Sequence, residues 1–172
     1  SETETVVGVG DRLESLLREK YGYNVLHHKG QYDVNDRDHA YSNSLPEITE
    51  IIEKNPSIKV VIDLHRDGVA ETTRLAATID GKPMAQIMFF NGLCRTAARG
   101  PINNLAFSFQ LQLMANEYYP GLARRIYLKG YRYNMHLCPK SLLVEVGAQT
   151  NTKEEAYNAM EPLADILDKV LK

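Results

Sequence analysis

The 172-residue sequence predicts a single α/β domain with a mainly parallel central sheet and helices on both faces. Three observations predict it. Amphipathic helical stretches alternate with short apolar runs, the order that right-handed crossovers between parallel strands produce. Lys59-Val60-Val61-Ile62-Asp63-Leu64 is a β-branched run suited to a central strand buried on both faces. Polar clusters then follow at the carboxyl ends of predicted strands, where such folds carry their chemistry. Hydrophobic residues at 44% and charged residues at 24% are enough for a real core and argue against disorder.

The first helix runs from Val6 to Lys20, with Val6, Val9, Leu13, Leu16 and Leu17 at helical spacing and charged residues opposite. Thr3 or Thr5 can cap its start, and Gly22 ends it. Tyr23-Asn24-Val25-Leu26 reads as a short strand, and His27 to Asp38 as a polar loop. A second helix is expected over Leu45 to Lys54, with Ser44 as cap and Pro46 in the first turn. The strand at 59–64 gives way to His65-Arg66-Asp67-Gly68, and another, Met84 to Phe90, ends in Asn91-Gly92. Asn103 to Tyr118 is helical, with Leu105, Phe109, Leu113 and Met114 assigned to its apolar side. A strand from Ser141 to Val146 ends in Gly147, and Lys153 to Leu171 is an amphipathic helix capped by Thr152 or Asn151.

Several functions are excluded early. Twenty Lys+Arg against twenty-two Asp+Glu leave a charge of −2, against a nucleic-acid binder driven by bulk positive potential. No apolar run approaches the ~18 residues of a membrane span. Ser1-Glu2-Thr3-Glu4 lacks the basic flank and apolar core of a signal peptide. Cys94 and Cys138 form no C-x-x-C pair and no disulfide scaffold, so both are expected as buried free thiols.

His65 emerges at a strand end, where an imidazole can ligate zinc, act as a base, or hydrogen-bond the turn. Asp63, two residues earlier, lies on the same side and can orient it or form an ordinary ion pair. Arg66 and Asp67 can pair with each other. Glu145 stands inside Leu-Leu-Val-Glu-Val-Gly, and a buried carboxylate there must be paired, metal-bound or protonated. It suits a general base facing a zinc-bound water, or a salt bridge to Arg132 or Arg95. His27, His28, Asp33, Asp36, Asp38 and His39 supply further donors in one loop, and His136 stands before a Cys-Pro turn. Tyr131-Arg132-Tyr133-Asn134 mixes a cation, aromatics and an amide suited to a peptide or sugar, or forms an alternating edge strand. None of these spacings is a self-sufficient metal signature, and the residues by themselves indicate metal-assisted or acid–base hydrolysis.

Several stretches together resemble the stage II sporulation protein P (SpoIIP) family. They are Asn55 to Asp67, ending in Asp-Leu-His-Arg-Asp; Asn91-Gly92-Leu93-Cys94-Arg95; Asn104 to Ser108; Tyr119 to Leu122; Arg132-Tyr133-Asn134; and Ser141 to Thr152, containing Leu-Val-Glu-Val-Gly-Ala-Gln-Thr-Asn. The resemblance covers nearly the whole chain. It implies a relative of the zinc-dependent N-acetylmuramoyl-L-alanine amidases, exported to the space between mother cell and forespore from a membrane-anchored parent. It also implies endopeptidase activity on peptide crosslinks, and the transglycosylase SpoIID and membrane protein SpoIIM as partners. His65 then carries over as a Zn2+ ligand and Glu145 as the catalytic acid/base, with Glu4 (or Glu2) where related amidases place a glutamate ligand. Arg66, Arg95, Arg132 and Asn134 are the candidates for substrate binding. The family's opening His-Thr-His-x-x-Glu-Ser-Tyr motif is not in the chain, its His-Asp pattern appears as Tyr32-Asp33, and the step from Gly100-Pro101 to Asn103-Asn104 is short. Residues 1–172 are therefore expected to be one catalytic domain without an N-terminal segment carrying a metal ligand, binding zinc poorly alone. The competing expectation is a non-catalytic domain that binds peptidoglycan or recruits a partner hydrolase.

Overall fold

The computed structural model describes residues 5–34, 37–93 and 100–172, without the side chains of 100–103. Helices α1 (Val6–Ser15), α2 (Ala40–Lys54), α3 (Gly100–Tyr118) and α4 (Lys153–Leu171) surround six strands. These are β1 (Val61–Asp67), β2 (Ala76–Ile79), β3 (Lys82–Ala85), β4 (Ile87–Gly92), β5 (Tyr127–Lys129) and β6 (Ser141–Ala148). The main sheet has the order β1-β6-β4-β5, with β1–β6 and β4–β5 parallel and β4–β6 antiparallel. The mixed α/β architecture with a mostly parallel sheet is the expected one.

Strand alternation gives the sheet two unlike faces. Ile87 and Phe89 of β4 and Leu142, Val144 and Val146 of β6 point into the main core, which α1, α3 and α4 complete. Met88, Phe90 and Leu143 point the other way, into a small second cluster with Met135, flanked by Tyr41 and Tyr133. Asp63 and His65 of β1 and Glu145 of β6 share that second face.

Thr152 caps α4 as expected, and Glu155 returns the favour: its backbone N–H bonds the Thr152 hydroxyl while its carboxylate accepts from the Thr152 N–H. Gly22, in a left-handed conformation (φ 75°), follows the end of the first helical stretch, which finishes in a π-helical turn over Leu16–Lys20. The Tyr23 N–H bonds back to the Leu17 carbonyl there, as in a Schellman ending.

Six sequence readings need correction. Tyr23–Leu26 is extended but joins no sheet among the described residues; its alternate side chains, Tyr23 and Val25, pack on the core instead. Helix α2 starts at Ala40, so Pro46 lies inside it, and Ser44 donates to the Tyr41 carbonyl rather than capping. Strand β1 is an edge strand with half-buried residues, and it runs on through His65 because pairing with β6 continues past the apolar run. Met84–Phe90 splits at Gln86 into β3, which forms a hairpin with β2, and β4. The buried stripe of α3 is Asn104, Phe107, Ser108, Leu111 and Ala115, leaving Phe109 and Leu113 exposed. Two polar members of that stripe disguised it from a hydropathy reading. Residues Tyr131 and Tyr133 lie in a loop after β5, not in a strand. Cys138 is a buried free thiol, as expected; Cys94 lies outside the described residues.

Candidate active site

The parallel register of β1 and β6 sets His65 directly beside Glu145. Paired residues in neighbouring strands point to the same face, so two side chains eighty positions apart in sequence share one patch of surface. Met88 of β4 pairs with Glu145 from the other side and supplies an apolar flank. Asp63 and Asp67 extend the polar row along β1.

Glu145 is half-buried, and its Oε2 atom is shut off from solvent without a hydrogen-bond partner. Burial raises its pKa above the ordinary carboxylate range, and the neighbouring charge of Asp67 adds to this. Arg124 and His65 oppose the shift with positive charge and lose. Arg124 is committed elsewhere: its Nη1 donates to Asp67 Oδ2 at 2.8 Å. The ion-pair reading of Glu145 with Arg132 does not hold: Arg132 is exposed on a loop, and Glu145 Oε2 has no hydrogen-bond partner. A carboxylate with a raised pKa and one unpartnered oxygen is suited to taking up a proton.

His65 remains 45% exposed at its side chain, and its Nε2 lies 2.8 Å from Asp63 Oδ1. Burial disfavours the imidazolium, but the hydrogen bond and charge of Asp63, joined by Glu145 and Asp33, outweigh it and raise the pKa. Asp63 is held in turn by Tyr41, whose hydroxyl donates to Oδ2 at 2.8 Å. Tyr41, Asp67 and Arg124 were not singled out for these contacts by sequence reasoning, because Tyr41 and Arg124 reach the site from α2 and from the segment before β5. A half-buried tyrosine near two carboxylates has no local pattern.

The loop from Tyr131 to Met135 closes over this face. It passes so near Gly92 that a Cβ there would strike the Tyr131 carbonyl and the Tyr133 ring. Asn134 adopts a left-handed conformation (φ 54°), and its Nδ2 donates to the Tyr41 carbonyl at 2.9 Å and to Ser44 Oγ at 3.1 Å. Its visible work is to tie the loop to α2. Tyr133 stands edge-on to both Tyr41 and Phe90.

The other candidates are scattered. Arg66 alternates to the opposite side of β1 from His65, although both border a small cleft of about 50 Å³ with Val9, Val146 and Tyr157. Arg132 is exposed on the loop; the burial of His136, joined by the Arg132 charge, lowers the pKa of that imidazole. Glu4, Glu2, Arg95 and Asp36 lie outside the described residues. His28 bonds the Tyr32 hydroxyl, which donates to Glu47. His27 Nδ1 lies 2.9 Å from Asp11, and with Glu14 these form the one group of three among the described residues able to share a metal. Both carboxylates are already paired, Asp11 with Lys29 and Glu14 with Arg18, and the group includes neither His65 nor Glu145.

The donors beside Glu145 fit zinc on one side. An imidazole oriented by a carboxylate, next to an orphaned buried oxygen, is the arrangement of a metal ligand with its supporting partner and a base. Among the described residues no second imidazole joins it, and catalytic zinc ordinarily takes three protein ligands.

Comparisons with known proteins agree with this architecture. The sequence model of the family Stage II sporulation protein P (SpoIIP) matches residues 1–168. The stage II sporulation protein P of Bacillus subtilis (strain 168) is 29% identical over 138 residues, 76% of this chain and 33% of that protein. The chain thus spans about a third of the length of this curated relative. In fold it resembles the CwlD amidase from Clostridioides difficile, solved in complex with the GerS lipoprotein, at TM-score 0.55 and 13% identity, covering 94% of this chain and 84% of that one. It likewise resembles the catalytic domain of CwlV, an N-acetylmuramoyl-L-alanine amidase from Bacillus (Paenibacillus) polymyxa var. colistinus, at TM-score 0.51 and 15% identity, covering 95% and 79%. The match along nearly its entire length places the chain in the stage II sporulation protein P family.

Proposed function

We propose that the chain is a peptidoglycan hydrolase domain that cleaves the amide between the lactyl group of N-acetylmuramic acid and L-alanine during spore engulfment. The observation that carries this reading is Glu145: a carboxylate with raised pKa and one unpartnered buried oxygen, beside His65 on the adjacent strand. Membership of the family and the amidase-like fold support it.

In this reading Glu145 takes the proton of the attacking water and returns it to the leaving amine, which its raised pKa favours. His65 is a ligand for Zn2+, with Glu4 as a second, and Asp63 orients the imidazole. Bound there, the ion supplies polarisation of the scissile carbonyl and a water acidified toward neutral pH. Arg66, Arg95 and Arg132 hold stem-peptide carboxylates. Cleavage of peptide crosslinks, partnership with SpoIID and SpoIIM, and an extracytoplasmic setting in the engulfing membrane space belong to the same proposal. No helix among the described residues is long and apolar enough to cross a membrane.

Mass spectrometry of digested cell wall tests it. New L-alanine amino termini on stem peptides are expected; shortened peptides mean a peptidase, and no products mean a binding domain. His65→Ala is expected to lose zinc and turnover together, and full muropeptide release by that variant refutes the assignment.

A further inference from the structure

We propose that Tyr41 is a positioning residue for His65, acting through Asp63 to fix the imidazole with its proton on Nε2 and its lone pair on Nδ1. The inference rests on the role given to His65 above and extends it to a residue from a different element.

The chain of contacts is continuous. Tyr41 Oη donates to Asp63 Oδ2 at 2.8 Å, and Asp63 Oδ1 lies 2.8 Å from His65 Nε2. An ionised carboxylate only accepts hydrogen bonds, so the nitrogen facing it must carry a proton. In the neutral ring the other nitrogen, Nδ1, then holds the lone pair that a metal or a proton needs. A half-exposed histidine with no fixed partner would populate both tautomers. Strand geometry puts Asp63 and His65 on one side, but it does not set the carboxylate's rotation. Tyr41 sets it by occupying the second oxygen.

Tyr41 is itself held from three sides. Burial and the Asp63 charge push its pKa far upward, so it remains a donor across the working range. Its ring stands edge-on to Tyr133 at 5.2 Å. Its backbone carbonyl accepts from Asn134 Nδ2 at 2.9 Å. The hydroxyl therefore meets Asp63 from a rigid base, the condition under which such a supporting partner is effective.

The test is made on the metal-free chain with 15N-labelled histidine, using long-range 1H–15N correlation above the imidazole titration, with His65 assigned by loss of its signals in His65→Ala. The expected wild-type spectrum shows His65 with its proton on Nε2. Tyr41→Phe, which keeps the ring and removes the hydroxyl, should shift His65 toward a tautomer mixture, while Tyr21→Phe, a hydroxyl deletion facing Asp165, leaves it unmoved. On muropeptide, Tyr41→Phe should lower kcat about 10-fold with KM unchanged. A wild-type ring protonated on Nδ1, or a His65 spectrum that Tyr41→Phe does not alter, overturns the proposal. Absence of wild-type turnover with the tautomer shift intact refutes the amidase reading alone, since the spectrum is read without metal or substrate.

Discussion

Glu145 should make this protein less stable than it would be without it. Its Oε2 atom is buried with no partner, and a second carboxylate, Asp67, stands close enough to push its pKa further up. Leaving a buried polar group unsatisfied costs about 1–3 kcal/mol. Glu145→Gln keeps the shape, removes the charge, and offers Asp67 an amide donor in place of a second acceptor. The expected gain at pH 8 is therefore about 1–3 kcal/mol, which at about 2–4 °C per kcal/mol for a domain of this size is readily seen by thermal melting. The gain must also depend on pH in a fixed direction. With a folded pKa above the unfolded value of about 4.3, the native state binds more protons within that window. Wild-type stability thus falls as pH rises through it, while Glu145→Gln has no such loss. The difference between the two proteins should be small at pH 4 and grow to a plateau above the folded pKa. Paired melts of metal-free wild type and variant from pH 4 to 8 measure it, and turnover should vanish in the variant. A variant no more stable than wild type at pH 8, or a gain undiminished at pH 4, refutes the reasoning.

Three further outcomes are expected. Glu155→Ala should cost about 1–2 kcal/mol by opening the α4 capping box. Because its carboxylate, although disfavoured by burial, is held at a lowered pKa by the Thr152 N–H, Asn151 and Arg74, that contribution is present above the unfolded pKa and lost as pH falls through the folded one; denaturant titrations at pH 7 and pH 3 should show the gap closing in acid. Asn134→Gly should destabilise the site loop by about 1 kcal/mol through lost hydrogen bonds, and Asn134→Ala by about 1 kcal/mol more through its left-handed backbone, both read by urea unfolding; equal stability of the two variants would contradict the backbone part. Phe89→Ala, at a fully buried position of β4, should cost about 3–5 kcal/mol by the same measurement.

Much of the fold is written locally. Helix α4 and its cap could be read from Thr152, Glu155 and the periodic apolar residues between Ala156 and Leu167, because capping and periodicity act within a few residues. The β2–β3 hairpin also had a local signal, Asp80-Gly81, and both residues adopt the positive φ that such a two-residue turn needs. Chemical cost exposed Glu145: a carboxylate inside an apolar strand has to be explained by function or pairing, wherever the strand lies. His65 and Asp63 could be read as a same-side pair because a strand alternates with period two.

What the residue order determined, then, was which segments form helices and strands, and which few polar groups stand where burial makes them expensive. Tertiary structure decided that β1 lies at the edge, that β6 pairs with it in the register joining His65 to Glu145, and that Arg124 turns to Asp67 rather than to Glu145. It also brought Tyr41 from α2 onto Asp63. The reason is physical: backbone propensity and side-chain periodicity are short-range, whereas strand order, register and carboxylate pairing follow from how whole elements exclude water together, and no local stretch of sequence encodes that.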